Sequence, residues 1–145
     1  MSVQRANNGL CRKEQKMQIF KIDTDGNAAV KDIEGDLKSL QKEVGGLITL
    51  ANYYEELEEQ GIDIFADDEG LLKANPKVSL FVTDKKNRMK VLTALVGNLI
   101  FVSHDDDGNT LGLTDEQIAF IKAHLKQLCY FSPNGKMNMA HTFWF

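Results

Sequence analysis

The stretch Leu95-Val-Gly-Asn-Leu-Ile-Phe-Val-Ser103 constrains this chain more than any other. With Thr93 and Ala94 before it, its apolar residues fall on both alternating faces, so as a strand it must be covered on each side. A chain of 145 residues supplies such cover most simply as one compact domain packed around that strand. Residues 93–103 are therefore predicted as a central, buried strand. Gly97-Asn98 sits inside it. An interior Gly marks a close backbone approach and an interior Asn needs hydrogen bonds, so the pair reads either as a bulge tied to a neighbouring loop or as a ligand-orienting amide.

The elements around it follow from periodicity and punctuation. "QIFKID" (18–23) and "AAVKDI" (28–33) alternate on either side of Asp25-Gly26, a strong hairpin signal. "DLKSLQKEV" (36–44) predicts a short helix with Asp36 as N-cap, Leu37, Leu40 and Val44 on one face, and Gly45 past its end. "LITLANYY" (47–54) and "IDIFA" (62–66) read as strands joined by an acidic connection. Asp67-Asp-Glu-Gly70 reads as a second acidic turn, after which Leu71-Leu72 continues the pairing. Residues 73–91 read as irregular, with one short strand at 79–83. "LTDEQIAFIKAHLKQLC" (113–129) predicts a helix with Ile118, Ile121, Leu125 and Leu128 in a stripe. The end, "YFSPNGKMNMAHTFWF", turns at Pro133-Asn134-Gly135 and reads as a last strand or an oligomer contact. The organisation expected is a flexible extension over 1–16, an α+β domain over 17–130 and an aromatic C-terminal tail over 131–145. The expected fold is α+β, a largely antiparallel or mixed sheet with two helices packed on it.

His104-Asp-Asp-Asp-Gly108 imitates the start of a calcium loop. An EF-hand requires acidic groups at positions 1, 3 and 5, Gly at 6 and Glu at 12. With Gly108 at position 6, Ser103 and Thr114 stand where the first and last ligands belong. Gly26 and Gly70 fail the same test, with Lys21 and Phe65 at the first position. All of these clusters follow strands and read as turns in which Asp bonds nearby amides. Thr114-Asp-Glu-Gln117 reads as a capping box, with Leu113 and Ile118 as its hydrophobic staple.

Little else carries chemistry. Cys11 and Cys129 do not make a disulfide framework. His104, His124 and His141 lack partners at metal-ligand spacing. No nucleophile elbow, zinc-protease, phosphate-loop or dinucleotide motif occurs, and Val44-Gly45-Gly46 ends a helix instead of opening one. No metal, no cofactor and no catalytic residue is expected. The N-terminus has no apolar segment of the secretory kind, and no apolar run reaches the roughly 18–20 residues of a membrane span, so the expected location is cytoplasmic. The net charge is −4. Since residues 1–16 hold Arg5, Arg12, Lys13 and Lys16 against Glu14 alone, the remainder is more acidic still. General binding to nucleic-acid phosphates is not expected.

Against that acidic background Lys85, Lys86, Arg88 and Lys90, with Lys73 and Lys77 upstream, are a departure. They read as a solvated loop or as an anion clamp. In the second reading Arg88, Lys90, Lys73 and Lys77 hold phosphate, Asn75 or Asn98 reads a base edge, and Tyr53 or Tyr54 stacks on the base. In a regular strand only one of the two tyrosines faces that side.

The order "LQKEVGGLITL", "DIFADDEGLLKANP", "LVGNLIFVSHDDDGNTLGLTDEQ" resembles domain of unknown function 3846, a family of phages, other mobile elements and gut bacteria. The resemblance spans roughly residues 18–122, with Gly45, Gly46, Gly70, Asn75, Gly97 and Gly108 at its recurring positions. The N-terminal extension, "TDKKNRMK" and the aromatic tail depart from it. It implies a small α+β accessory protein acting in the host bacterial cytoplasm, and it implies no activity. The leading expectation is a non-enzymatic anti-defence protein, a sponge that sequesters a small nucleotide immune signal. The alternative is an acidic inhibitor of a host defence protein, in one form a nucleic-acid mimic, using residues 55–69. A nucleotide-processing enzyme ranks third. A homo-oligomer, most simply a two-fold dimer covered by the tail, is expected in the first case.

Overall fold

A computed structural model describes residues 16–70 and 77–145. The readings made for the N-terminal extension, for Leu71-Leu72, and for Lys73 and Asn75 lie outside the described residues, apart from Lys16, which already belongs to the first strand. That strand, β1 (Lys16–Ile22), pairs antiparallel with β2 (Ala28–Glu34) across the Asp25-Gly26 turn. The first helix, α1 (Leu37–Val44), is followed by β3 (Ile48–Leu50), the short helix α2 (Glu55–Glu59) and β4 (Ile62–Asp67). Then come β5 (Val78–Thr83), β6 (Val91–Val96) and β7 (Leu99–His104). The chain closes with β8 (Thr110–Leu111), α3 (Asp115–His124), β9 (Leu125–Phe131) and β10 (Met137–Phe143).

Among the described residues the fold is α+β with two sheets and three helices, where a single sheet with two helices was expected. A six-stranded sheet runs β2-β1-β7-β4-β3, with β8 on β7, and is antiparallel throughout. A four-stranded sheet runs β6-β5-β10-β9, in which only β5 and β10 are parallel.

The run 93–103 is not one strand. Gly97 has φ of +78°, a left-handed conformation that glycine adopts freely and other residues resist. There the chain leaves the four-stranded sheet as β6 and enters the six-stranded one as β7. The second half behaves as predicted: Leu99, Ile100, Phe101 and Val102 are completely buried. Leu99 and Phe101 enter the larger core, which draws on both sheets with Ile118 and Ile121 of α3. Ile100 and Val102 enter the smaller core under Leu40 and Val44 of α1. Leu37, expected on the same face, is exposed.

The last predicted helix is cut in half. It starts as expected: Thr114 Oγ1 accepts from the Gln117 amide (3.1 Å) and Gln117 Oε1 accepts from the Thr114 amide (2.9 Å). It ends at His124, and residues 125–131 pair antiparallel with β10 over their whole length. The Ser132–Lys136 turn, with Gly135 donating to Ser132 O (2.8 Å), makes a hairpin. Pairing along this hairpin satisfies backbone groups of the aromatic tail that β5, which pairs with it only at His141 and Thr142, leaves open, and it outweighs the helical spacing of Leu125 and Leu128.

The Asp-Gly turns behave as read. Asp105 Oδ1 accepts from the amides of Asp107 (2.9 Å) and Asn109 (2.8 Å). Asp23 Oδ1 does the same for Asp25 (2.9 Å) and Asn27 (3.0 Å). These bonds hold the Asp105 carboxyl below its usual pKa, with the Asn109 side chain the largest contributor.

Glu43 of α1 is buried and receives Lys31 (2.8 Å) and Lys21 (3.0 Å), which tie the helix to β2 and β1. Burial opposes its ionisation, but the bonds from Lys31 and Lys21 and their charges outweigh it and lower the pKa. A group whose folded pKa is depressed stabilises above its unfolded value and loses that contribution as pH falls through the folded one. Glu43→Gln should therefore lower stability near neutral pH by about 1–3 kcal/mol. It should also flatten the loss of stability below the ordinary glutamate value of 4.5, measured by denaturant melts across pH.

The helix cap makes a second prediction. Thr114→Ala should cost about 0.5–2 kcal/mol. Gln117→Ala should cost more in the same melts, because Gln117 Nε2 also donates to Gln60 O (2.7 Å) and Ser103 Oγ (3.0 Å).

Candidate functional site

Two concave regions lie on the four-stranded sheet and its margins. The first is a hollow of about 430 Å³ between the β5–β6 turn, the start of α2 and the chain's last residues. It brings together Tyr53, Tyr54 and Arg88 of the predicted site, with Lys85 and Lys86 beside them. Most of its charge is already engaged. Lys85 is ion-paired with Glu56, and Asp84 is part of the wall. Arg88 Nη2 donates to Phe145 O (2.7 Å), Nη1 to Phe143 O (3.4 Å), and the guanidinium lies 5.4 Å from the Trp144 ring centroid.

The strand expected over 47–54 shortens to β3 (Ile48–Leu50), so both tyrosines lie in the link to α2, where packing and not a strand's alternation divides them. Tyr53 is exposed, whereas Tyr54 is buried, packs edge-on against Phe143 (5.0 Å) and donates to Phe81 O (3.2 Å). Burial pushes its phenol up to about 12, so it stays neutral and serves the core. The C-terminal tail is therefore an internal strand, with Phe143 buried and stacked on Phe145 at 5.4 Å.

The second region is an open cleft of about 760 Å³ across β5, β9 and the β9–β10 turn. Among the described residues Lys77 and Lys136 supply its charge, and no carboxylate lines it. Phe81 and Tyr130 meet edge to face (5.3 Å), and Phe131 is 71% exposed. Tyr130 Oη accepts from the Val78 amide (3.0 Å), which fixes the ring against β5. Asn134 accepts from Ser132 Oγ and from the Lys136 amide (3.0 Å), so the turn that carries Lys136 is internally braced. The cleft falls in the usual size range of small-molecule sites.

Of the predicted residues that are described, Lys77 alone reaches this cleft. It is anchored through the sheet switch: Gly97 donates to Lys77 O (3.0 Å), and Ser79 Oγ donates to Gly97 O. Asn98 is half-buried at that switch, and Lys90 stands exposed on the β5–β6 turn, so neither joins Lys77 in the cleft. Tyr130, Phe131, Asn134, Lys136 and Asn138 were missed because residues 125–129 were read as helix and the rest as a tail. The signal that finds them is Pro133-Asn134-Gly135 read as a hairpin turn, with both flanks taken as strands.

Among the described residues no group of three or more His, Cys, Asp or Glu is placed to hold a metal ion. No described helix is long and apolar enough to cross a membrane. His104 Nδ1 lies 2.9 Å from Asp63 Oδ2, and Asn52 donates to that carboxylate's other oxygen (3.0 Å).

Arg88→Ala should cost about 1–3 kcal/mol, since it leaves partly buried carbonyls without donors. It should also speed proteolysis at the chain's C-terminal end. This differs from a clamp residue on a solvated loop, whose replacement leaves melting unchanged.

Over residues 17–126 the sequence matches the family described as Domain of unknown function (DUF3846), a slightly longer span than the resemblance suggested. Neither a curated protein nor a solved structure matches it. Most of β9, its turn and β10 lie beyond the matched span.

Proposed function

The chain belongs to the DUF3846 family, a domain of unknown function, and we propose that it is a non-enzymatic binding protein that sequesters a small anionic ligand of the nucleotide class. The observation that carries this reading is the cleft of about 760 Å³, which joins two lysines to exposed aromatic surface with no lining carboxylate among the described residues, in a chain of net charge −4. Phosphate seeks an uncompensated cation, and Lys77 and Lys136 have no ion pair among the described residues. A flat base seeks an aromatic face, and Phe131 offers one. In the phage or mobile-element setting implied by the resemblance, the ligand is a nucleotide immune signal and the protein a sponge against it.

The acidic-inhibitor reading draws less support. Glu56 is taken up by Lys85, and Asp67 is buried, so the stretch 55–69 presents less free charge than its sequence suggests. The proposed site keeps Lys77 of the sequence-based clamp and sets Lys136 beside it in place of Arg88 and Lys90.

Calorimetric titration with nucleoside monophosphates, cyclic mononucleotides and cyclic dinucleotides tests the proposal. At least one should bind and be recovered intact by mass spectrometry. Lys77→Glu with Lys136→Glu should abolish binding with little change in melting temperature, and Phe131→Ala should weaken it by about 1–3 kcal/mol. Binding that ignores these residues and depends on Lys85, Lys86 or Tyr53 would place the ligand in the other hollow. Recovery of a converted nucleotide would make the protein an enzyme.

A further inference from the structure

Among the described residues the four-stranded sheet ends at β6 on one side and β9 on the other. Free strand edges template pairing with other strands, and proteins normally blunt them with charge, proline or shortness. The other edges follow that rule: β9 carries Lys126, β2 carries Lys31, Asp32 and Glu34, and β3 is only three residues long. The edge strand β6, Val91-Leu-Thr-Ala-Leu-Val96, does not follow it. It has no charged residue, and Val91 and Leu92 are 51% and 57% exposed.

Its two ends carry opposite charge. The turn leading into β6 bears Lys86 and Lys90, both exposed and without an ion pair among the described residues. At the far end Gly70 packs on Val96 so closely that a Cβ there would lie 2.9 Å from Val96 Cγ2. That contact brings the acidic turn before Gly70, with exposed Asp68 and Glu69, to the C-terminal end of β6.

We infer that two copies of this chain pair through β6, antiparallel about a two-fold axis near Thr93, joining their four-stranded sheets into one. Antiparallel pairing sets the basic end of each β6 against the acidic end of the other, twice. A parallel arrangement sets like charge on like. Complementary charge of this kind selects the partner and fixes register, and a two-fold contact is self-complementary by construction. An acidic strand from another protein would satisfy the lysines but would meet Asp68 and Glu69 at the other end. The strand pairing leaves the ligand cleft open, because neither β6 nor these four charged residues line it. The inference therefore stands apart from the ligand reading. It also moves the expected oligomer contact away from the tail, whose Phe143 is in the core.

Light scattering coupled to gel filtration of the full chain should give the mass of two chains at low salt and a smaller mass as salt rises. Leu92→Lys, at an exposed position, should give the monomer with unchanged circular dichroism. Lys90→Glu should shift the mass toward the monomer, and adding Glu69→Lys should restore the dimer. Lys126→Glu on the opposite edge should leave the dimer intact. A wild-type monomer at every concentration, or a dimer indifferent to Leu92→Lys and Lys90→Glu, would overturn the inference. Failure of the charge swap to restore the dimer would overturn the antiparallel arrangement.

Discussion

Burial of β7 on both faces is the constraint from which the rest of the architecture follows. Four consecutive side chains, Leu99 to Val102, are wholly excluded from water, and each contributes about 1.5–3 kcal/mol by that exclusion. Two layers of cover are needed. On one side, α1 lies over Ile100 and Val102 and is clamped by the Glu43 ion pairs to β1 and β2. On the other, α3 and the four-stranded sheet close over Leu99 and Phe101. Phe20 and Phe143 both meet the Phe101 ring edge-on, at 5.9 and 5.8 Å, so the first and last strands converge on the same buried strand.

That second layer exists because the chain changes sheets at Gly97. One residue with positive φ lets the chain leave the four-stranded sheet with Val96 and enter the six-stranded one with Leu99. The same turn receives Ser79 and holds Lys77 by its carbonyl. The point where the fold switches layers therefore also positions a lysine of the proposed site. The parallel pairing of β10 with β5 completes the layer, and Arg88 secures its end through the carbonyls of Phe143 and Phe145.

Charge in this protein is informative only once its partners are known. The basic run 85–90 looks like an anion clamp in sequence. In the fold Lys85 faces Glu56 and Arg88 faces backbone carbonyls, which leaves Lys86 and Lys90 as its free charges. Lys77 and Lys136 are far apart in sequence, and only Lys77 stands near that basic run. Folding places them in one cleft that no carboxylate among the described residues lines.

The sequence by itself determined the features that depend on neighbours along the chain. Asp25-Gly26 makes the first hairpin, Asp36 and Gly45 bound α1, and Thr114 and Gln117 start α3, because a turn or cap is completed within about five residues. The doubly apolar run 93–103 likewise announced a central strand, which its second half forms. Tertiary structure decided whatever required a distant partner. Residues 93–103 became two strands because the two halves find different sheets. Residues 125–131 became β9 instead of helix because β10 supplied a full ladder of backbone bonds, worth more than the spacing of Leu125 and Leu128. Tyr53 and Tyr54 were separable in sequence only as a pair facing opposite sides. Which one entered the core depended on Phe143, some ninety residues away, because burial is a property of the packed chain and not of local spacing.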